Sequence, residues 1–251
     1  MFKIMIFSPL GGYRLILYSM LAIFVIPMSI INLALAFKLL GFPAYYGALV
    51  ALTITGLSLL TSVVHVAVYE TRRRAVVPSY FTVEFMGLRF KLPGFMQQIQ
   101  RSIVSINVGG AIIPTMMSIA LSYIMWILSH RLMAAVLVSL LVTALAVNRS
   151  AKVIPGMGIV TPAFLPPLIS ATVTTLLVYA VSPSYLNVAP AASYMVGVLG
   201  SLIGADLMHL GEVIDMAPAI IDIGGMGTFD GIYLSGVLAI FYAMALTLII
   251  G

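Results

Sequence analysis

The chain contains no cysteine, which excludes disulfides, thiolate nucleophiles and Cys-ligated zinc or iron–sulfur sites. Any metal would have to rely on His and carboxylates, and the sequence carries no pattern that calls for a metal or another cofactor. Charge is scarce too: 8% of the 251 residues are charged, 62% are hydrophobic, and mean hydropathy is +1.18. That balance excludes an ordinary soluble protein and leaves a single integral membrane domain over residues 1–251. The net charge of +5 does not indicate nucleic acid, because the basic residues flank apolar spans instead of forming a groove interleaved with aromatics. The single tryptophan, Trp126, and tyrosines near span ends read as interface anchors.

A helical crossing needs about 20 apolar residues. Seven runs qualify or nearly so: Leu15 to Phe37, Pro43 to Tyr69, Val108 to Leu128, Leu132 to Val147, Ile159 to Val181, Val188 to Leu210 and Phe229 to Ile250. The first is longer than a signal-peptide core and has no clear small-residue cleavage site, so it reads as a span. The expected fold is therefore an all-α, multi-pass membrane protein of about seven helices, several broken by Gly and Pro. Pro114 is expected to kink the third span.

Residues 70–101 do not fit a crossing. They hold Arg72, Arg73, Arg74, Arg89, Lys91 and Arg101, with Glu84 between. Within them, Tyr80 to Phe90 alternates β-formers around Met86-Gly87, which predicts a short β-hairpin or amphipathic surface element. Six basic residues place this insertion in the cytoplasm, and counting spans places the N-terminus there as well.

The two halves of the chain also match each other. Arg14-Leu15 aligns with Arg131-Leu132, Pro43-Ala44-Tyr45 with Pro162-Ala163-Phe164, and Ile106-Asn107-Val108-Gly109-Gly110 with Ile221-Asp222-Ile223-Gly224-Gly225. Three matches in one order at nearly constant spacing suggest a duplication over residues 13–128 and 130–245.

No Lys or Arg follows Lys152, yet five of the seven acids, Asp206, Glu212, Asp215, Asp222 and Asp230, crowd between the last two apolar runs. Glu212, Asp215 and Asp222 read as a hydrated connection, with Asp222 a capping residue in the place of Asn107. Asp206 and Asp230 fall inside the spans, where a carboxylate costs roughly 2.5–3.5 kcal/mol on insertion scales and so points to function. A tight connection would make their helices antiparallel neighbours, with the two carboxyls at similar depth. Two facing carboxyls can share one proton, leaving one base to activate water and one acid. His209 lies three residues after Asp206 on the same helical face, so Asp206, His209 and Asp230 could instead bind a cation or relay protons. The plain alternatives are an aspartate that bonds the free backbone groups of a broken helix and a histidine that hydrogen-bonds at the interface. His65 and His130 carry less information still.

Gly224, Gly225 and Gly227, running into Asp230, form the most distinctive stretch, and Asn107, Gly109 and Gly110 repeat the device without a carboxylate. Glycine lets the backbone leave helical geometry and lets a substrate or neighbour come close.

Three blocks, Ser105-Ile106-Asn107-Val108-Gly109-Gly110-Ala111-Ile112-Ile113-Pro114, Ala205-Asp206-Leu207-Met208-His209-Leu210 and Ile223-Gly224-Gly225-Met226-Gly227-Thr228-Phe229-Asp230-Gly231, resemble the signatures of the prokaryotic membrane family called domain of unknown function 1614. That resemblance implies a polytopic membrane protein and no activity. Gly225 to Tyr233 is more weakly similar to the Gly-x-Gly-Asp motif of presenilin-like intramembrane aspartyl proteases, with Thr228 and Phe229 interrupting it and no Pro-Ala-Leu after Asp230. This likeness implies Asp206 and Asp230 as a catalytic dyad. Two classes therefore stand open beside a non-catalytic scaffold: an intramembrane aspartyl peptidase acting on a membrane peptide, and a transporter or channel for a small cation or proton. In either case the partner is the lipid bilayer, and oligomeric state is not legible.

Overall fold

A backbone in hydrocarbon must satisfy its own N–H and C=O groups, so long apolar runs become helices. The computed structural model of the protein describes residues 3–6, 13–85 and 88–250. In chain order the helices are α1 (Tyr13–Leu39), α2 (Ala44–Leu60), α3 (Ile113–Leu128), α4 (His130–Ser150), α5 (Leu165–Val181), α6 (Ala189–Ser201), α7 (Met208–Asp215) and α8 (Gly231–Ile250). The π turn Leu202–Leu207 joins α6 to α7, and a second π turn, Val108–Ile112, leads into α3. Among the described residues, six helical stretches are long and apolar enough to cross a membrane: Tyr18–Leu39, Ala44–Val63, Val108–Leu128, His130–Ser150, Pro183–Asp215 and Gly231–Ile250. The protein thus has the character of a multi-pass membrane protein.

The fifth apolar run is shorter as a helix than as a sequence pattern. Its beginning is taken by a small antiparallel hairpin, β4 (Lys152–Ile154) with β5 (Gly158–Val160), and Pro166 and Pro167 fix the first turn of α5. The stretch from Pro183 to Asp215 is the most enclosed of the six; its α6 packs against α3, α4, α5 and α8. Small residues permit that closeness: Gly200 lies against Thr143 of α4, and Gly197 against the Ser235 carbonyl of α8. From the other side, the Asn32 amide of α1 donates to the Val237 carbonyl at 3.2 Å.

The remaining strands form one sheet in the order β1-β2-β3-β6, with β1 (Lys3–Ile6), β2 (Val64–Phe85), β3 (Leu88–Asn107) and β6 (Ile220–Ile223). β2 and β3 make the expected hairpin, but much longer than the Tyr80–Phe90 core, with register shifts between Ala67/Tyr69, Glu70/Arg74 and Pro78/Tyr80. Its turn at Met86-Gly87 lies outside the described residues. The second apolar run accordingly stops being helical at Val63, and Val64 to Tyr69 is strand. β-branched residues at Val64, Val66 and Val68 suit that extended backbone. β1 pairs with β2 from Ile6↔Val64, and β6 pairs parallel with β3 from Ile103↔Ile220 to Ile106↔Ile223. One sheet therefore gathers the N-terminal strand, the hairpin and the segment before α8.

Two local expectations change here. Pro114 sits in the first turn of α3, directly after the π turn, where its missing N–H costs little. The acidic connection is not all loop: the helix runs on to Asp215, turns at Ala217 with φ 50°, and continues as β6. Arg73 Nη2 of β2 meets Asp215 Oδ1 at 2.6 Å with both side chains more than half exposed. An exposed pair of this kind contributes about 1 kcal/mol or less. Asp215→Asn should leave the thermal unfolding midpoint within a few degrees of wild type.

Candidate active site

Asp206 and Asp230 reach their positions by different local devices. Asp206 lies in the π turn Leu202–Leu207, where one extra residue per turn re-aims side chains out of the regular helical register. Asp230 is the residue ahead of α8, with extended φ −72° and ψ 149°. Its backbone carbonyl accepts from Leu234 N at 3.0 Å. Its Oδ1 accepts from Ile232 N at 3.0 Å and its Oδ2 from Met226 N at 3.3 Å. It therefore caps the helix while also holding the glycine-rich loop to it.

Both carboxyls line the same two adjoining cavities. The larger, about 580 Å³, lies between β6, α7 and the β4–β5 hairpin. The smaller, about 340 Å³, runs on toward the first turns of α5 and α8, with Ser201 and Ser235 in its wall. Met157 and Ile159 of the hairpin, with Met226, border both, so the hairpin forms part of the wall that the two cavities share with the aspartates. Gly156 (φ 79°) and Gly158 (φ 86°) allow its tight turn, and the Met157 side chain at the tip is 73% exposed.

His209 is not brought into this arrangement. Its Nδ1 lies 2.9 Å from the Ala205 carbonyl and 3.5 Å from Asn148 Nδ2, and it borders neither cavity. Among the described residues there is no group of three or more His, Asp or Glu that could hold a metal ion.

The two glycine runs meet in space. A Cβ on Gly110 would collide with the Gly224 carbonyl and lie 2.8 Å from the Gly227 carbonyl. Asn107 begins the first run as a cap: its Oδ1 accepts from Gly110 N at 2.7 Å, and its Nδ2 donates to the Ser62 carbonyl at 2.7 Å. Gly224, Gly225 and Gly227 carry the loop past that point toward Asp230. Tyr18 of α1 closes over this loop, its ring 5.2 Å from that of Phe229.

Asp222 behaves differently from the capping role its alignment with Asn107 suggested. On β6 it stands opposite Ser105 of β3 and accepts from Ser105 Oγ at 2.8 Å. Its Oδ2 lies 2.6 Å from His65 Nδ1 of β2. Burial pushes the Asp222 carboxyl above its ordinary range, and the Ser105 and His65 contacts act against that shift. Asp222 also lines the larger cavity beside Asp206 and Asp230. His65 carried no sequence signal of its own. A usable hint was the placing of Ser105 and Asn107 at alternate positions of the otherwise apolar end of β3, residues 103–107, which puts two polar side chains on one face.

A central helix broken at an aspartate, a four-stranded sheet and a carboxylate-lined pair of cavities define a polytopic membrane protein with a polar site where the bundle meets the sheet. The chain matches the family described as protein of unknown function (DUF1614) over residues 59–242, and it belongs to that family. No curated protein and no solved structure matched it.

Proposed function

We propose that the protein is an intramembrane aspartyl hydrolase, a peptidase, whose dyad is Asp206 and Asp230. The observation that carries this reading is that the two carboxyls, from different elements, border both cavities together. Asp230 receives two backbone N–H donors and is assigned the carboxylate that activates water. Asp206, whose side chain makes no hydrogen bond among the described residues, is assigned the acid that protonates the leaving amine. A peptide would reach them extended. β6 ends its sheet, so its outer edge is unpaired among the described residues, and Ile220 to Ile223 border the larger cavity. Such an edge can receive a further strand, main chain to main chain.

For orientation, we place the sheet and both cavities on the cytoplasmic side. β1, the basic hairpin and β6 share one sheet and hence one side, and the hairpin segment carries the six basic residues. In this reading the N-terminus is cytoplasmic and the protein lies in the cell membrane.

The test is cleavage of a membrane-peptide library by purified protein in liposomes, with Asp206→Asn and Asp230→Asn beside wild type. Cleavage unaffected by both substitutions removes the proposal. A second reading, a cation- or proton-coupled transporter, is favoured by the π turn at Asp206, since broken helices at membrane depth are tolerated where they line a cavity. It requires proteoliposome flux of a monovalent cation or protons that both substitutions abolish.

A further inference from the structure

We propose that the His65–Asp222 hydrogen bond is a working part of the Asp206–Asp230 site: Asp222 is a third carboxylate of the cavity wall, and His65 is the positioning residue that aims it there. The inference rests on the hydrolase reading above. His65 on β2, Ser105 and Asn107 on β3, and Asp222 on β6 occupy one face of three adjacent strands, because His65 stands opposite Asn107 and Ser105 opposite Asp222. His65 is fully buried, whereas the Asp222 side chain keeps 15% of its surface and borders the larger cavity. The pair thus has a closed end under the sheet and an open end at the aspartates.

Packing alone gives little reason for such a pair. Replacing a buried ionisable pair by apolar side chains is often neutral or stabilising, and Ile221 and Ile223, on either side of Asp222, are both buried apolar side chains. The surroundings are also shaped to the carboxylate: a Cβ on Gly225 would come within 2.8 Å of Asp222 Oδ2, so glycine there leaves the oxygen its place. One residue further, Met226 N bonds Asp230 Oδ2. A short path of named contacts therefore leads from His65 through Asp222 and the loop to Asp230.

The groups that face Asp222 are His65 and Ser105 from the sheet and Asp206 and Asp230, which line the same cavity; among the described residues no Lys or Arg borders it. When ionised, Asp222 beside two carboxyls disfavours ionisation of both at once, and so holds the shared proton that aspartyl catalysis uses. Removing it lets that proton leave at lower pH.

The experiment uses the full chain in liposomes with a cleaved membrane peptide, reading kcat, KM and the pH profile, and histidine ¹⁵N NMR. Asp222→Asn and His65→Leu should each lower kcat roughly tenfold to hundredfold, the range for outer partners of catalytic groups, with KM little changed. The alkaline limb should move acidward by about half a unit or more. His65→Gln, which keeps a donor, should restore part of the loss. The hydrogen-bonded Nδ1–H signal that His65→Leu removes should also vanish in Asp222→Asn and persist in Asp206→Asn. If His65→Leu does not fold, Ser105→Ala should move the profile the same way by less. Native kcat and pH profile in Asp222→Asn, with Asp206→Asn dead, overturn this inference and leave the hydrolase standing. Cleavage that survives Asp206→Asn and Asp230→Asn overturns both.

Discussion

Asp206→Asn and Asp230→Asn should each lower kcat by about a thousandfold or more, with the thermal midpoint nearly unchanged in Asp206→Asn and lowered by only a few degrees in Asp230→Asn. Loss of a general acid or base removes roughly 10²–10⁴ in rate, and the two groups act on the same water and the same leaving amine. The double variant should therefore be little worse than either single one, the behaviour of residues that work as a unit. Asn at 230 still offers one oxygen to Ile232 N, and Asn is as good a helix cap as Asp; Met226 N, bonded to the other carboxylate oxygen, loses its acceptor at a cost of about 1–3 kcal/mol. Asn at 206 replaces a carboxyl whose oxygens make no hydrogen bond among the described residues. Stability and activity are thus separated by design, and circular dichroism melts beside single-turnover cleavage read them independently. A large fall in midpoint for Asp230→Asn with proportionate loss of cleavage would mean that the carboxylate is a cap and nothing more.

Much of this architecture could be read from the chain because membrane helices are local objects. Apolar run length located the helices, and the β-former alternation around Met86-Gly87 located the hairpin. What escaped is non-local or small. β6 is four residues, Ile220–Ile223, set in a stretch that reads as a polar connection, and it becomes a strand because β3, more than a hundred residues earlier, offers it an edge. The β4–β5 hairpin has strands of three residues, too short for a period to show among its prolines and glycines. The π turns at Val108–Ile112 and Leu202–Leu207 each insert a single residue into an otherwise helical pattern, so the apolar period barely registers them. His65 was opaque for the same reason as β6. Its partner Asp222 becomes its neighbour only once β3 lies between them.

Asp206 and Asp230 were legible as residues because intramembrane acids are rare. Their common cavity was not, since it depends on a hairpin the sequence hid. Of the three groups first read as one cluster, His209 is held by the backbone of its own helix, and Asp222 stands at the wall in its stead.

Gly110→Ala should cost more stability than any surface change, above about 3 kcal/mol, the upper end of overpacking penalties. The new methyl would press on the carbonyl of Gly224 and sit 2.8 Å from that of Gly227. These are backbone atoms, so no side chain can rotate away. Neither backbone is free to retreat. Gly110 N is tied to Asn107 Oδ1 at 2.7 Å. Gly227, at φ 61°, is pressed against Ser62, whose Oγ donates to the Ser58 carbonyl at 2.7 Å and accepts from Thr228 N at 3.2 Å. Gly56→Ala, in the middle of α2 with nothing within 4 Å of the added carbon, is the matched control. It should hold or raise the midpoint, by at most about 1 kcal/mol of helix propensity. Trp126 fluorescence melts in one detergent compare the two. Equal midpoints would mean that the two glycine runs do not pack against each other. The same contact also bears on catalysis: the loop that Gly110 supports carries Met226, whose N–H holds Asp230. Whatever folded fraction of Gly110→Ala remains should therefore cleave more slowly per molecule, with kcat falling and KM little changed.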